Sequence, residues 1–283
     1  MKELIRSEIK KFVLESKDNW LEEIKDCYFD EPIVKFASAD DPLFEDYKSI
    51  IDNGHLTPGE AFELAFGKNS YQGGTVISVV LPINEKIRIS NAKQKDFHSK
   101  EWALLRAYGD EMVIKRLNRY VDTLIGEMGY RTTAPSKAEW FKVYGTANGF
   151  VSNWSERHIA YAAGLGTFSI NDGFITEKGI AIRLTSLVTE LKLDADMRNA
   201  KNHTENCLLC SKGICGVCIK RCPVGAISKD GHDKMKCYKF VYGEELSKRA
   251  AAYGVNPDPT VGSGCGLCQT NVPCEYKNPV KLD

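Results

Sequence analysis

The chain has 283 residues, of which 43% are hydrophobic and 27% are charged, and its 38 basic residues equal its 38 acidic residues. This composition is that of an ordinary globular protein long enough to bury a core, without the overall basic excess that accompanies nucleic-acid binding. The N-terminus lacks the apolar core of a secretory signal, and no apolar run approaches the roughly 18 residues of a membrane span. We therefore expect a cytoplasmic protein without a membrane partner.

Hydrophobic periodicity predicts the main elements of the first half. Apolar residues at helical spacing predict an amphipathic helix over residues 2–16. A continuous apolar run over residues 75–82 predicts a buried strand. A long helix is expected from about Lys100, with Gly129 as its C-terminal glycine. Residues 131–153, rich in threonine, glycine and aromatics, are expected to be a loop.

A short helix followed by paired glycines comes next. Ser155 is placed to cap a helix that begins near Glu156 and is broken by Gly164 and Gly166. Small residues and paired glycines let the backbone approach a large, flat group. A dinucleotide-binding loop is the alternative, but these glycines end a helix rather than open one, and a third glycine and a preceding strand are missing. Residues 180–191 alternate as a strand does.

Nine of the ten cysteines lie in the last third of the chain. They are Cys207, Cys210, Cys215, Cys218, Cys222, Cys237, Cys265, Cys268 and Cys274. The run from Cys215 to Cys222 reads C-x2-C-x3-C-P, the core of the bacterial ferredoxin signature, in which the cysteine before proline binds a second [4Fe–4S] cluster. Two such clusters need about eight thiolates, and this segment offers one more than that.

The spacing divides these cysteines into two ligand sets. One set is Cys215, Cys218 and Cys274 with either Cys207 or Cys210, and the other is Cys222, Cys237, Cys265 and Cys268. The fourth ligand of the first set stays open because an ordinary run would begin at position 212, where Lys212 stands. Disulfides would need an oxidising compartment, and two zinc knuckles would leave Cys222 and Cys237 without a role. The segment therefore predicts two [4Fe–4S] clusters.

Taken together, these stretches resemble the epoxyqueuosine reductases, a family related to reductive dehalogenases. The resemblance covers roughly residues 73–283. It depends on the motif Glu156-Arg157-x2-Ala160-x2-Ala163-Gly164-Leu165-Gly166, on the run ending Cys222-Pro223-x-Gly225-Ala226-Ile227, on Cys237, and on Cys265-x2-Cys268. It implies an α+β protein: a nitroreductase-like α/β domain that cradles base-off cobalamin over residues 1–200, then a ferredoxin-like domain with two [4Fe–4S] clusters over residues 201–283. The polar stretch 194–205 is the expected boundary.

The resemblance also implies the residues of a corrinoid site. The candidates for cofactor binding are Ser152, Asn153, Trp154, Arg157, Gly164, Gly166 and Thr167. In the family an aspartate seven residues before the motif's arginine is the proposed proton donor, but that position is Phe150 here. The nearest titratable alternatives are His158, Tyr144 and Tyr161, each of which could instead be a packing residue. Arg157 could likewise pair with Glu156 at the helix start.

Two classes of function follow from this resemblance. The first is a reductase in which a low-potential ferredoxin or flavodoxin supplies electrons through two clusters to a corrinoid and then to a substrate. The second is an electron-transfer, corrinoid-activating or corrinoid-carrier protein that docks on a partner corrinoid protein and has no substrate of its own; the missing aspartate fits it. The balanced charge and the shorter chain argue against tRNA as a substrate. A flavin is the less favoured occupant because no motif indicates it.

Overall fold

The computed structural model describes residues 1–146, 149–255, 262 and 264–280, except for the side chain of Met112. The helices are α1 (Lys2–Glu15), α2 (Leu43–Ile50), α3 (Pro58–Phe66), α4 (Glu85–Ala92), α5 (Lys100–Leu104), α6 (Lys115–Glu127), α7 (Glu156–Ala162), α8 (Leu208–Lys212), α9 (Val217–Arg221), α10 (Lys234–Val241) and α11 (Glu244–Ala252). The strands are β1 (Trp20–Leu21), β2 (Asp26–Cys27), β3 (Ile33–Ser38), β4 (Thr75–Pro82), β5 (Thr132–Thr133), β6 (Val143–Thr146), β7 (Gly149–Ser152), β8 (Gly166–Phe168), β9 (Phe174–Thr176), β10 (Ile182–Thr189), β11 (Ile227–Ser228) and β12 (Gly231–His232). A π-helical stretch, Leu105–Ile114, joins α5 to α6. Three short 3₁₀ turns, Lys17–Asn19, Pro135–Lys137 and Leu267–Gln269, complete the elements.

An antiparallel sheet of four strands, in the order β3-β4-β10-β5, forms the centre of the first 200 residues. Strands β4 and β10 pair along eight residues, from Thr75 opposite Thr189 to Pro82 opposite Ile182. Strand β5 pairs only with the last two residues of β10, so no described strand covers residues 182–187 on that side. This uncovered stretch of β10 borders one of the cavities described below.

Both faces of the sheet are covered by helices. On one face Ile77 packs in a core with residues of α1, α4, α5 and α6. Its neighbour Val76 faces the opposite way, into a core with residues of α2, α3 and α7. Successive side chains of a strand point to opposite faces, so a strand covered on both sides is apolar throughout. This explains why β4 reads as an unbroken apolar run and is buried at every position.

The structure confirms the periodic elements expected from the sequence and corrects one region. The helix over 2–16, the strand over 75–82, the helix from Lys100 to a C-terminal glycine and the strand within 180–191 are all present. The expectation of a loop over 131–153 was wrong, because β6 and β7 form a hairpin there, from Val143 opposite Ser152 to Thr146 opposite Gly149. Its connecting residues 147–148 lie outside the described ones. Neither strand is a buried one, so neither carries the apolar signal of a core strand.

The cysteine-rich segment packs directly against the sheet domain. The Ile180 N–H donates to the Cys274 carbonyl at 2.8 Å, and the Ala181 N–H donates to the Glu275 carbonyl at 3.0 Å. Arg88 of α4 forms a 2.8 Å ion pair with Glu275, and both side chains are almost buried. The end of the cysteine segment is therefore fixed to the residues that lead into β10. None of the described helices has the length and apolarity needed to cross a membrane.

The polar stretch 194–205 lies against the first domain. The Asp196 carboxylate accepts hydrogen bonds from Lys2 and Arg6 of α1 and from the Phe36 N–H of β3. The Phe168 N–H of β8 donates to the His203 carbonyl at 2.7 Å. These contacts hold the expected boundary segment in place. The division of the chain at residue 200 stays a prediction.

Candidate functional site

Four cysteine thiols line a narrow cavity in the last third of the chain. Cys207, Cys215, Cys218 and Cys274 contribute to its wall, and we call them the outer thiol group. Burial, and then the charges of the other three thiols, raise the pKa of Cys274 to about 12. Thiols raise one another's pKa in this way when their sulfurs face a shared space, and a bound metal ion offsets the cost because thiolates are its ligands.

The structure distinguishes Cys207 from Cys210. Cys207 is buried, and its sulfur lies 3.7 Å from the Ser169 hydroxyl that donates to it. Burial alone would raise its pKa, but hydrogen bonds from the backbone N–H groups of Cys210 and Ile170 and from Ser169 lower the pKa instead. Cys210 is exposed and does not line the cavity. The geometry favours Cys207 as the fourth ligand.

The remaining four cysteines, Cys222, Cys237, Cys265 and Cys268, form the inner thiol group. Burial, and to a smaller extent the charges of Cys237 and Cys222, raise the pKa of Cys265 to about 12. Burial also raises the pKa of Cys268, which is affected by the outer group's Cys218 as well. The structure thus brings together the cysteines that the spacing assigned to each set and places the two groups side by side. Among the described residues, no three or more His, Cys, Asp or Glu side chains have the geometry of a single-ion site.

The loop that carries Cys265 and Cys268 is fixed by side chains from both halves of the chain. Arg221, at the end of α9, donates from Nε to the Leu267 and Thr270 carbonyls, both at 3.1 Å, and from Nη1 to the Gln94 carbonyl at 2.7 Å. The Asn171 side-chain amide donates to the Cys268 carbonyl at 3.1 Å. Because these two donors come from separate segments, and Arg221 is itself bonded to Gln94, the inner group depends on the assembled fold.

Helix α7 carries several of the candidate residues. Ser155 occupies its N-cap position as expected, but its hydroxyl bonds with His158 Nδ1 at 2.8 Å instead of capping the backbone. Burial, and then the charge of Arg157, lower the pKa of His158 to about 3. The ring is therefore a neutral imidazole at neutral pH and has no imidazolium proton to donate. The Tyr47 hydroxyl donates to the His158 carbonyl at 2.6 Å.

We expect the fold to lose stability in mild acid because of His158. Its pKa is depressed, so the folded state binds fewer protons than the unfolded state, and stability falls as the pH drops below about 6.5. The loss should amount to roughly 2 kcal/mol by pH 5. His158→Asn, which keeps an acceptor for the Ser155 hydroxyl, should therefore lose less stability than the wild type between pH 7 and pH 5 in urea unfolding. Equal losses would contradict a buried neutral imidazole. His55, whose pKa burial lowers to about 4, contributes to both proteins alike.

The other titratable candidates lie apart from one another. The Tyr144 hydroxyl donates to Asp52 at 2.6 Å, and burial and this bond raise its pKa to about 12. Tyr161 lies on α7 beneath the Arg198 guanidinium, which is 5.8 Å from the ring centre. Arg157 donates to the Asp172 carbonyl, so it does not pair with its neighbour in the motif. Of these three described residues, Tyr161 and Arg157 border a common cavity, which Tyr144 does not line.

The paired glycines are closed in by the chain itself. A Cβ atom at Gly164 would lie 2.6 Å from the Met197 carbonyl oxygen, and one at Gly166 would lie 2.2 Å from the Ile175 carbonyl oxygen. The Thr167 hydroxyl accepts a hydrogen bond from the Asn206 N–H at 2.8 Å. The close approach that these glycines permit is therefore to the protein's own backbone.

Two further candidates also serve the fold. The Asn153 side chain donates to the Trp140 carbonyl and accepts from the Lys142 N–H, which fixes the base of the hairpin. Trp154 is fully buried and donates from its ring to the Ser186 hydroxyl at 2.9 Å. Both side chains are thus held in place before any ligand binds.

Three cavities divide the predicted corrinoid residues among them. The first, of about 290 Å³, lies along the uncovered edge of β10 and is lined by Ser152, Trp154, Glu156, Arg157, Arg183 and Gln269 among others. We call it the strand-edge cavity. The second, of about 580 Å³, is lined by Arg157, His158 and Tyr161 with Tyr47, Asp172 and Lys234. The third, of about 160 Å³, is lined by Gly164, Gly166 and Thr167 among others. Pockets for drug-sized ligands span about 300–1,000 Å³, and a corrinoid is larger than such ligands. The described residues therefore do not form one cradle for a corrinoid.

Sequence reasoning missed three residues of the strand-edge cavity. Gln269 follows Cys268 directly, and its buried side-chain oxygen has no hydrogen-bond partner. Arg183 pairs with Asp110 at 3.0 Å, and its charge within an otherwise uncharged strand was the available signal. Glu156 was regarded only as a partner for its neighbour, yet both of its carboxylate oxygens are shielded from solvent and have no hydrogen-bond partner. The residue that follows Cys268 of the inner thiol group thus lines this cavity.

Comparison with solved structures identifies the fold. A selenomethionine-labelled epoxyqueuosine reductase matches 98% of this chain and 69% of its own chain, at 16% identity and a TM-score of 0.50. The enzyme from Streptococcus thermophilus matches 99% and 69%, at 19% identity and a TM-score of 0.48. An epoxyqueuosine reductase with a tRNA stem loop matches 97% and 70%, at 16% identity and a TM-score of 0.46. No protein-family model and no curated protein matches the sequence. The resemblance to epoxyqueuosine reductases expected from the sequence is confirmed in the fold.

Proposed function

We propose that this protein is an iron–sulfur reductase that binds two [4Fe–4S] clusters and delivers electrons to an acceptor in the strand-edge cavity. The observation that carries the proposal is the sorting of eight thiols into two neighbouring groups, with Gln269, the residue after Cys268, in the wall of the strand-edge cavity. A cluster of this type needs four thiolates and transfers one electron at a time. The outer group would be Cys207, Cys215, Cys218 and Cys274, and the inner group Cys222, Cys237, Cys265 and Cys268.

The exposure of the two groups gives the route a direction. In the outer group Cys215 is exposed, whereas in the inner group every thiol is at least partly buried. We infer that a low-potential ferredoxin or flavodoxin donates electrons at the outer group. The inner group lies beside Gln269 and hence beside the strand-edge cavity. Electrons would leave the protein there.

The cavities and Phe150 bear on whether the electron acceptor is a corrinoid, because both differ from what the family's pattern implies. The sequence resemblance implies base-off cobalamin, but the candidate corrinoid residues border three separate cavities rather than one cradle. Phe150 stands where the family has its acid, and it stacks on Tyr238 with ring centres 4.3 Å apart. Tyr238 follows Cys237 of the inner group directly. An aromatic pair beside the inner group therefore replaces a proton donor.

The experiment is anaerobic purification followed by mixing with hydroxocobalamin and reduction. For the reductase, we expect about eight irons per chain and reoxidation of the reduced protein by a reducible acceptor. A stoichiometric cobalt signal would identify a corrinoid as that acceptor. Iron with no retained cobalt and no acceptor turnover would favour the electron-transfer alternative, whereas retained cobalt without acceptor turnover would favour the carrier. Zinc in place of iron would overturn the proposal.

A further inference from the structure

We propose that Glu156 holds a proton in the strand-edge cavity and passes it to the acceptor that is reduced there. This inference rests on the proposed function. It assigns a chemical role to a residue that the sequence analysis did not select, and it supplies the acid missing at Phe150. The proposal depends on four properties of the site: enclosure, lack of a partner, position and charge.

The Glu156 carboxyl group is enclosed and lacks a partner. It is the first residue of α7, and both of its oxygens are shielded from solvent without a hydrogen-bond partner. The hydroxyls of Ser136 and Ser186 and the Ser186 N–H lie near enough to lower its pKa, but none of them forms a hydrogen bond of good geometry with either oxygen. Burying an ionised carboxylate without hydrogen bonds is costly, whereas a protonated carboxyl group is tolerated. The site therefore favours the acid form.

The position of Glu156 connects it to the electron route. It lines the strand-edge cavity together with Ser152, Arg183 and Gln269. Gln269 follows Cys268 of the inner thiol group. A molecule in this cavity would therefore lie between a proton source on α7 and the electron source of the inner group.

No arginine described near Glu156 would neutralise the negative charge of its ionised carboxylate. Burial raises the pKa of Glu156 to about 7 and outweighs the nearby Ser136 and Ser186 groups and the charge of Lys137, all of which lower it. Arg157 donates to the Asp172 carbonyl instead, and Arg183 is paired with Asp110. Neither arginine pairs with Glu156 among the described contacts. A pKa near neutrality suits a group that must hold and release a proton at the working pH.

The step balances in protons and electrons. For each electron that the acceptor receives from the low-potential donor, one proton leaves a Glu156 oxygen and forms a bond to the acceptor. Glu156 then regains a proton from solvent. Charge is conserved because the electron and the proton arrive together.

The test compares Glu156→Gln with Glu139→Gln, which neutralises an exposed carboxylate, by infrared spectroscopy of the carboxyl band between pH 5.5 and 8.5. We expect the wild type to show a protonated-carboxyl band that disappears as the pH rises through about 7. E156Q should lack this band, and E139Q should retain it. A band that persists in E156Q, or that is missing from the wild type at pH 5.5, would overturn the proposal. If E156Q does not fold, Glu156→Asp serves as the comparison and should move the midpoint of the band.

A second measurement follows the unfolding temperature over the same pH range. The raised pKa means that the folded wild type gains stability from the neutral acid at low pH and loses it as the pH rises from the ordinary value of 4.5 to about 7. The unfolding temperature of E156Q relative to the wild type should therefore increase with pH, and a constant difference would contradict the proposal. Neither measurement needs iron. Absence of iron would contradict the proposed function, whereas absence of the titrating band would contradict the role of Glu156.

Discussion

Cys207→Ala is expected to lower the iron content from about eight to about four per chain, whereas Cys210→Ala leaves it unchanged. Cys207 lines the outer cavity and accepts hydrogen bonds that stabilise its thiolate, while Cys210 is exposed and outside that cavity. Iron analysis of anaerobically purified variants measures the difference. The electron delivery of the Cys207 variant should be abolished because the outer cluster is the entry point.

The matched pair makes this prediction specific. Both changes remove one thiol from the same short segment, so a general effect of losing a cysteine would appear in both variants. Cys218→Ala provides the positive control, since Cys218 belongs to the outer group under either choice of fourth ligand. Loss of iron in the Cys210 variant with full iron in the Cys207 variant would reverse the assignment.

Gly179→Ala is expected to destabilise the protein by about 2–4 kcal/mol and to weaken iron binding at the outer group. Gly179 has a φ angle of +83°, and a Cβ there would lie 2.3 Å from the Glu275 carbonyl oxygen. The adjacent Ile180 N–H donates to the carbonyl of Cys274, an outer ligand. Moving this backbone therefore displaces a ligand as well as straining the chain. Urea unfolding and iron analysis measure the two effects.

Gly129→Ala is the control for this change. Its φ angle of +88° is nearly the same, but no atom lies within 4 Å of the added Cβ. It should cost about 1–2 kcal/mol from the left-handed backbone alone and leave the iron content unchanged. Equal costs at both positions would show that the contact with Glu275 does not determine the stability.

The sequence predicted the sheet domain well where burial and periodicity agree. Strand β4 is apolar throughout because helices cover both faces, so its burial follows from composition alone. Helix α1 buries Ile5, Ile9 and Val13 on one face, which is the pattern that periodicity detects. The cysteine spacing assigns to each group sulfurs that the structure places near one another, because short C-x2-C intervals restrict which sulfurs can meet; their role as cluster ligands stays a prediction.

The parts that the sequence did not predict depend on contacts between distant segments. The β6–β7 hairpin carries no buried-strand pattern, and Tyr144 is held by Asp52 from far along the chain. The choice of Cys207 over Cys210 depends on a hydrogen bond from Ser169. The isolation of the Glu156 carboxyl group depends on which neighbours fail to reach it. None of these contacts has a local pattern in the sequence.

The central claim is that two four-thiol groups hold two [4Fe–4S] clusters. The most direct test is iron and sulfide analysis of the anaerobically purified protein, with an EPR spectrum after reduction by dithionite. We expect about eight irons per chain and the signals of two interacting reduced clusters. About four irons with a single isolated signal, or zinc in place of iron, would contradict the account.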